Sequence, residues 1–255
     1  MFTHVRPFAG AESRSVQTWK KILIPFGITI VIGGIYLLIV FHQRSQPGVV
    51  KNQPQQQMTA DDLAVVRQEF PQHFDDVKDL EGKSVWMKNG YSISYFPYSG
   101  GRVEWSKPAG LIPPDQKLEI KKAIKAKVPA SVDDGIDHGS QQALVVFTLP
   151  DRKDQFAAAV GAMQGEQEQY FDDMLFYYDD PHTIYTNWPK DVWAAIDAHQ
   201  VKPGFSELQT RMAIGSKAQY DDNEKEGNRT ADYDVNGKHI KVTFVHNKAT
   251  SIQGQ

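Results

Sequence analysis

Cysteine is missing from this chain altogether. Its absence excludes disulfide staples, cysteine nucleophiles, thiolate metal sites and a lipid-bearing N-terminal cysteine. Catalytic signatures are missing too. There is no phosphate-cradling glycine loop, nucleophile elbow or dinucleotide fingerprint, and no EF-hand or HExxH spacing. Beyond the first 57 residues, excess positive charge is also lacking. That opening stretch holds six cations (Arg6, Arg14, Lys20, Lys21, Arg44, Lys51) and one acid, Glu12. It therefore carries +5 of a chain whose net charge is −3, and the remainder carries −8. Such a body is no general polyanion binder, and nucleic acid is not an expected partner. What is present is globular composition, 40% apolar and 23% charged over 255 residues, enough for one or two domains.

One long uncharged run stands out. Residues 22–41 read ILIPFGITIVIGGIYLLIVF, with Thr29 and Tyr36 the only polar side chains. A helix of that length spans about 30 Å, the thickness of a bilayer core. Trp19, Lys20 and Lys21 precede it as interface anchors would. A signal peptide has a shorter apolar region and a small-residue cleavage site, and a core helix has a polar face. Four cations precede the run, and Arg44 and Lys51 follow it. The positive-inside bias thus predicts a cytoplasmic N-terminus and a C-terminal part outside the cytoplasm, periplasmic in a bacterial cell. The expected order is a cytoplasmic segment over 1–21, a transmembrane helix over 22–41 and a tether over 42–60. Six glutamines and two prolines fill that tether. Its 19 residues reach roughly 25 Å.

Beyond the tether the patterns predict an α+β body. Thr59 with Asp62 resembles a helix start, and Leu63, Val66 and Phe70 recur at helical spacing up to Pro71. Residues 61–186 otherwise read as a β-rich domain, a small SH3-like barrel or curled sheet. Ser84–Lys88 and Tyr91–Phe96 flank Asn89-Gly90, a hairpin signal. Gly100-Gly101 turns into Arg102–Trp105, and three prolines make a loop of 108–115. Ala143–Leu149 is a strand rich in Val and Phe. Asp151 and Asp154 open a predicted short helix with Phe156, Ala159, Val160 and Met163 on one side.

Residues 187–255 read as two helices and a three-stranded antiparallel meander. Asn187 is placed to cap a helix carrying Val192, Trp193 and Ile196, and Lys202-Pro203-Gly204 breaks it. Ser206 with Gln209 makes a capping box, and Gly215 ends that second helix. Strands over 230–235, 238–245 and 249–253 follow, turned by Asn236-Gly237 and Asn247-Lys248. Ile240, Val242 and Phe244 line one face.

Here the chain resembles a known module. Gly204-Phe205-Ser206-Glu207-Leu208-Gln209, Ala213-Ile214-Gly215, Gly237-Lys238, Val242-Thr243-Phe244, Lys248 and Ile252 are similar to the BamE (SmpA/OmlA) family, over about 55 residues. That resemblance implies two helices on a three-stranded sheet and a protein-interaction role in the bacterial envelope. Two departures limit it. The family's lipid-bearing cysteine is replaced here by a span, and Ser216-Lys217 stand where a proline often follows the helix-ending glycine. A role in outer-membrane barrel assembly is therefore not carried over.

Four clusters are candidates for chemistry or binding. Asp172, Asp173, Asp179, Asp180 and His182 form the sharpest enzyme lead. If 170–179 is helical, Asp172 and Asp179 share a face two turns apart. Asp133-Asp134-Gly135-Ile136-Asp137-His138 offers similar ligands. Against both stands ordinary capping and turn chemistry. Residues 170–193 hold eight aromatics, a third of that segment. They read either as a sugar- or peptide-binding platform or as core, with Tyr185, Trp188 and Trp193 at a seam between the two halves. Lys117, Lys121, Lys122, Lys125 and Lys127 read as a solvated edge more than as an anion site.

The expected function is a membrane-anchored envelope protein with an interaction or assembly domain, its partners the membrane and another envelope protein. No catalytic residue, metal or cofactor is assigned. The alternatives are a metal-dependent hydrolase at Asp179, Asp180 and His182, or polysaccharide binding by the aromatic segment.

Overall fold

The computed structural model describes residues 29–42, 58–215, 218–220, 225–235 and 237–254. Trp19, Lys20, Lys21, residues 22–28 of the expected span and most of the tether lie outside them. The chain divides into two compact units, Met1–Gln57 and Met58–Gln255. In the first, residues 29–42 form helix α1, whose Ile30, Val31, Ile32, Ile35, Leu37, Leu38, Ile39 and Phe41 are all exposed. Among the described residues no helix is long and apolar enough to cross a membrane.

The second unit is mixed α and β. The helix expected at its start does not form. Thr59 and Asp62 exchange hydrogen bonds (Thr59 N to Asp62 Oδ2 at 2.7 Å, Asp62 N to Thr59 Oγ1 at 3.3 Å), but these close a turn and not a helix. Residues 58–72 form a strap that runs without regular structure from residue 64 onward. Partners outside the strap outbid the helical pattern. Asp61 accepts from Asn187 Nδ2 at 2.8 Å and Trp188 Nε1 at 2.7 Å. Asp173 accepts from the Glu69 and Phe70 amides. A short helix α2, Phe74–Lys78, follows.

Nine antiparallel strands build the first sheet: β1 Ser84–Met87, β2 Ser94–Ser99, β3 Arg102–Val103, β4 Gly110–Leu111, β5 Lys117–Ala126, β6 Gln141–Thr148, β7 Gln155–Gln164, β8 Gln167–Tyr170 and β9 Phe176–Tyr177. Their order is β3-β2-β7-β6-β5-β1-β9, with β4 against β2 and β8 against β7. The path ends on two edges, so of the two forms expected, barrel or curled sheet, the described residues form an open sheet and not a closed barrel. The Asn89-Gly90 hairpin does not form either. β1 pairs with β5 and β9, while β2 pairs with β3, β4 and β7. The turn is there, with Gly90 at φ 116°, but long central strands capture each arm separately.

The helix expected over 154–163 is strand β7, buried at every position from Phe156 to Met163. Its side chains split between two cores. Phe156, Ala158 and Val160 join Val145, Phe147, Leu118 and Met87 on one face, and Ala157 and Ala159 join Leu144, Val146 and Tyr98 on the other. A strand buried on both faces loses the alternation that would announce it.

Residues 170–179 are likewise no continuous helix. One turn, α3 Asp172–Leu175, runs straight into β9, because Phe176 and Tyr177 pair with Met87 and Trp86. Helix α4, Pro181–Ile184, follows, capped by the Asp180 side chain. Helix α5, Lys190–Asp197, begins behind Pro189, and not behind Asn187, which is committed to Asp61.

The C-terminal part has the expected shape. Helix α6, Glu207–Ile214, opens on the Ser206–Gln209 capping box and stops at Gly215, φ 93°. Strands β11 Thr230–Val235, β12 Lys238–Val245 and β13 Lys248–Gln253 form the meander, and one more strand, β10 Ala218–Tyr220, extends it to four. Trp193, Ile196, Phe205, Met212, Ala213, Tyr233, Val242 and Phe244 fill the core between helices and sheet. Tyr177 belongs to this core, and Trp86 packs on it from outside. The β1–β9 end of the first sheet is thus joined to the second core.

Candidate functional site

The loop ahead of β5, helix α4 and the end of α5 converge on one cluster. Asp115, His182 and Asp197 each offer a donor atom within 4.8 Å of the other two. Asp180, the cap of α4, accepts from the His182 amide at 2.9 Å. Its Oδ1 also lies 2.8 Å from His182 Nδ1. His182 Nε2 faces Asp197 Oδ1, 3.5 Å away, so the ring lies between two carboxylates. The imidazole stacks on Trp193 with ring centres 3.9 Å apart. Trp193 in turn leans on Trp188, and Trp188 stacks on Tyr185. Asp115 sits at φ 60°, its amide donating to the Met87 carbonyl at 2.9 Å. Its Oδ1 is sealed from solvent without a hydrogen-bond partner. Burial pushes this carboxyl up to about 7, against the pull of nearby His182.

Only part of the expected acidic cluster assembles. Asp180 and His182 meet, but Asp179 turns to Arg67 Nη1 at 3.2 Å. Asp173 holds the strap. Asp172 is buried, accepting from the Tyr178 hydroxyl at 3.0 Å. Asp115 and Asp197 escaped the sequence reading, since 67 and 15 residues separate them from His182. Asp115 stood only as the end of a proline-rich loop, and no local signal pointed further.

The aromatic segment is largely interior. Phe176, Tyr177, Tyr178, Tyr185, Trp188 and Trp193 are all buried. They offer no flat platform to a polymer. In the 133–138 segment Asp134 is buried, and burial raises its carboxyl. Asp137 and His138 line a shallow cleft of about 600 Å³ with Gln164, Gln167, Glu168 and Gln169. Four of the five lysines lie on β5, where Lys121 pairs with Glu119 and Lys125 with Glu168, each at 3.0 Å.

Asp172 provides a pH test of the interior. Burial pushes its carboxyl up to about 6. The Tyr178 hydrogen bond opposes that rise, and the Asp173 and Asp76 charges add to it. The folded state thus holds a proton that the unfolded chain releases near pH 4. Stability from this group is fully present below pH 4 and falls as pH rises through 6. Asp172→Asn keeps the tyrosine's acceptor and removes the buried charge. It should stabilise the protein by roughly 1–2 kcal/mol at pH 8, with the gain fading towards pH 4. Urea melts at the two pH values measure this, and a larger gain at pH 4 would contradict it.

Comparison with protein-family models, curated proteins and solved structures finds no match to this chain.

Proposed function

We propose that the protein is anchored in a bacterial envelope membrane by one span, and that its domain outside the cytoplasm is a protein-interaction or assembly module without catalytic activity. The observation that carries this reading is the strap. Its backbone and polar side chains are tied down through Asp61, Arg67 and Asp173. Yet Leu63, Val65 and Phe70 stand 64%, 88% and 67% exposed. Holding three bulky apolar side chains in water on a pinned segment is unfavourable in isolation and is relieved by a partner surface. Anchoring rests on the 22–41 run with Trp19, Lys20 and Lys21 at its edge. It is supported by α1, which presents apolar side chains on every side. The BamE-like pattern of the last 55 residues supports the envelope setting.

The test uses the full chain in living cells with a photo-crosslinking residue at Val65. A discrete adduct with one envelope protein is expected, weakened at least tenfold by Phe70→Asp. The same probe at exposed Lys107, away from the strap, should give none. Equal adducts from both positions, or none from Val65, would overturn the reading.

A further inference from the structure

We infer that Asp115, His182 and Asp197 bind one divalent first-row transition metal of the Zn²⁺ or Mn²⁺ kind, with Asp180 as the outer support of the histidine. The inference is independent of the interaction reading. Three separate elements bring the donors within 4.8 Å of one another, and His182 Nε2 already lies 3.5 Å from Asp197 Oδ1. A metal with bonds of about 2.0–2.2 Å holds adjacent donors about 3.0–3.5 Å apart. Closing the remaining gap takes side-chain rotation of about an ångström, and two of the three residues are exposed enough to make it.

Proximity is not the whole case. Asp115 Oδ1 is enclosed and accepts no hydrogen bond. Buried carboxylate oxygens are normally bonded, and a cation would supply what this one lacks. The histidine is also already set as a ligand. Asp180 Oδ1 lies against Nδ1 and Trp193 fixes the ring plane, which leaves Nε2 directed at Asp197. A carboxylate behind a ligating imidazole is the usual outer arrangement at such sites. The charge balance agrees. Three carboxylates surround one imidazole, and among the described residues Asp180 and Asp197 face no other cationic side chain within ion-pair distance.

The donor set selects the ion. One imidazole nitrogen with two carboxylates suits Zn²⁺ or Mn²⁺, whereas Ca²⁺ and Mg²⁺ favour all-oxygen sites. Bound there, the ion would tie the loop before β5 to α4 and α5, and so fasten the first sheet to the second core.

The experiment is calorimetric titration of the full chain, stripped with chelator, using ZnCl₂, MnCl₂, CaCl₂ and MgCl₂. One equivalent of Zn²⁺ or Mn²⁺ should bind with micromolar or tighter Kd, and the two hard ions at least a hundredfold more weakly. Asp115→Asn and Asp197→Asn should each weaken binding by tenfold or more, and Asp180→Asn by about 10–100-fold. Asparagine tolerates the positive φ of residue 115, and Asp197 is exposed, so both variants should stay folded. Unchanged metal-free melting curves check this. At equal metal concentration the melting midpoint should rise more for the parent than for the variants. No stoichiometric binding, equal binding by Asp197→Asn, or equal affinity for Ca²⁺ would overturn the inference.

Discussion

Glu207→Ala should cost about 3–5 kcal/mol of stability, because it removes a buried carboxylate together with its three charge-assisted hydrogen bonds. Glu207, the first residue of α6, is 1% exposed. Its Oε1 accepts from Arg229 Nε at 2.9 Å and from Nη2, and its Oε2 accepts from the Gly227 amide at 2.8 Å. Its own amide donates to Asn247 Oδ1 at 3.0 Å. One side chain therefore fastens the start of a helix to the segment entering β11, while its backbone holds the β12–β13 turn. The Arg229 side chain is only 13% exposed, so water cannot replace what is lost. Glu207→Gln retains an acceptor and should cost about half as much. Chemical denaturation of both variants decides the matter. A loss below about 1 kcal/mol for Glu207→Ala would mean that solvent reaches the pair.

Trp193→Ala should be about as damaging, at 3–5 kcal/mol, since it empties the centre of the second core. The ring is 7% exposed and is held between His182 and Trp188, 3.9 and 5.0 Å from their centres. A loss below about 0.5 kcal/mol, typical of surface changes, would show the ring to be peripheral. The same core explains why a 187–255 fragment should fold poorly. It would lose Tyr177 from its interior and Trp86 from its flank, and a unit of that size has little core to spare.

The sequence was most readable where one face of each element is buried. Ile240, Val242 and Phe244 alternate with Lys241 and Thr243, so β12 could be drawn to its ends. Ser206, Gln209 and Gly215 bracket α6 by local chemistry alone. Legibility failed in the first sheet for opposite reasons. The run Phe156-Ala157-Ala158-Ala159-Val160 is buried on both sides and has no period to read. Asn89-Gly90 specifies a turn, but a turn does not specify which strand each arm will find. The strap had a genuine helical pattern, overridden because Asp61 and Asp173 found donors more than a hundred residues away. The metal-like cluster was half legible for the same reason. Asp180 and His182 are local, being cap and first turn of one helix, whereas Asp115 and Asp197 arrive only through tertiary packing.

The order of the strap's fastenings has a mechanical consequence. Any tension carried by the chain ahead of Met58 reaches the Asp61 bonds to Asn187 and Trp188 first. Only after these part does load pass to Arg67 and Asp179, and then to the amides held by Asp173. Bonds loaded one after another peel at low force, where bonds loaded together resist. The strap should therefore pay out in steps, lengthening the leash while both sheets stay intact. The thirteen residues from Met58 to Phe70 span about 40 Å when fully drawn.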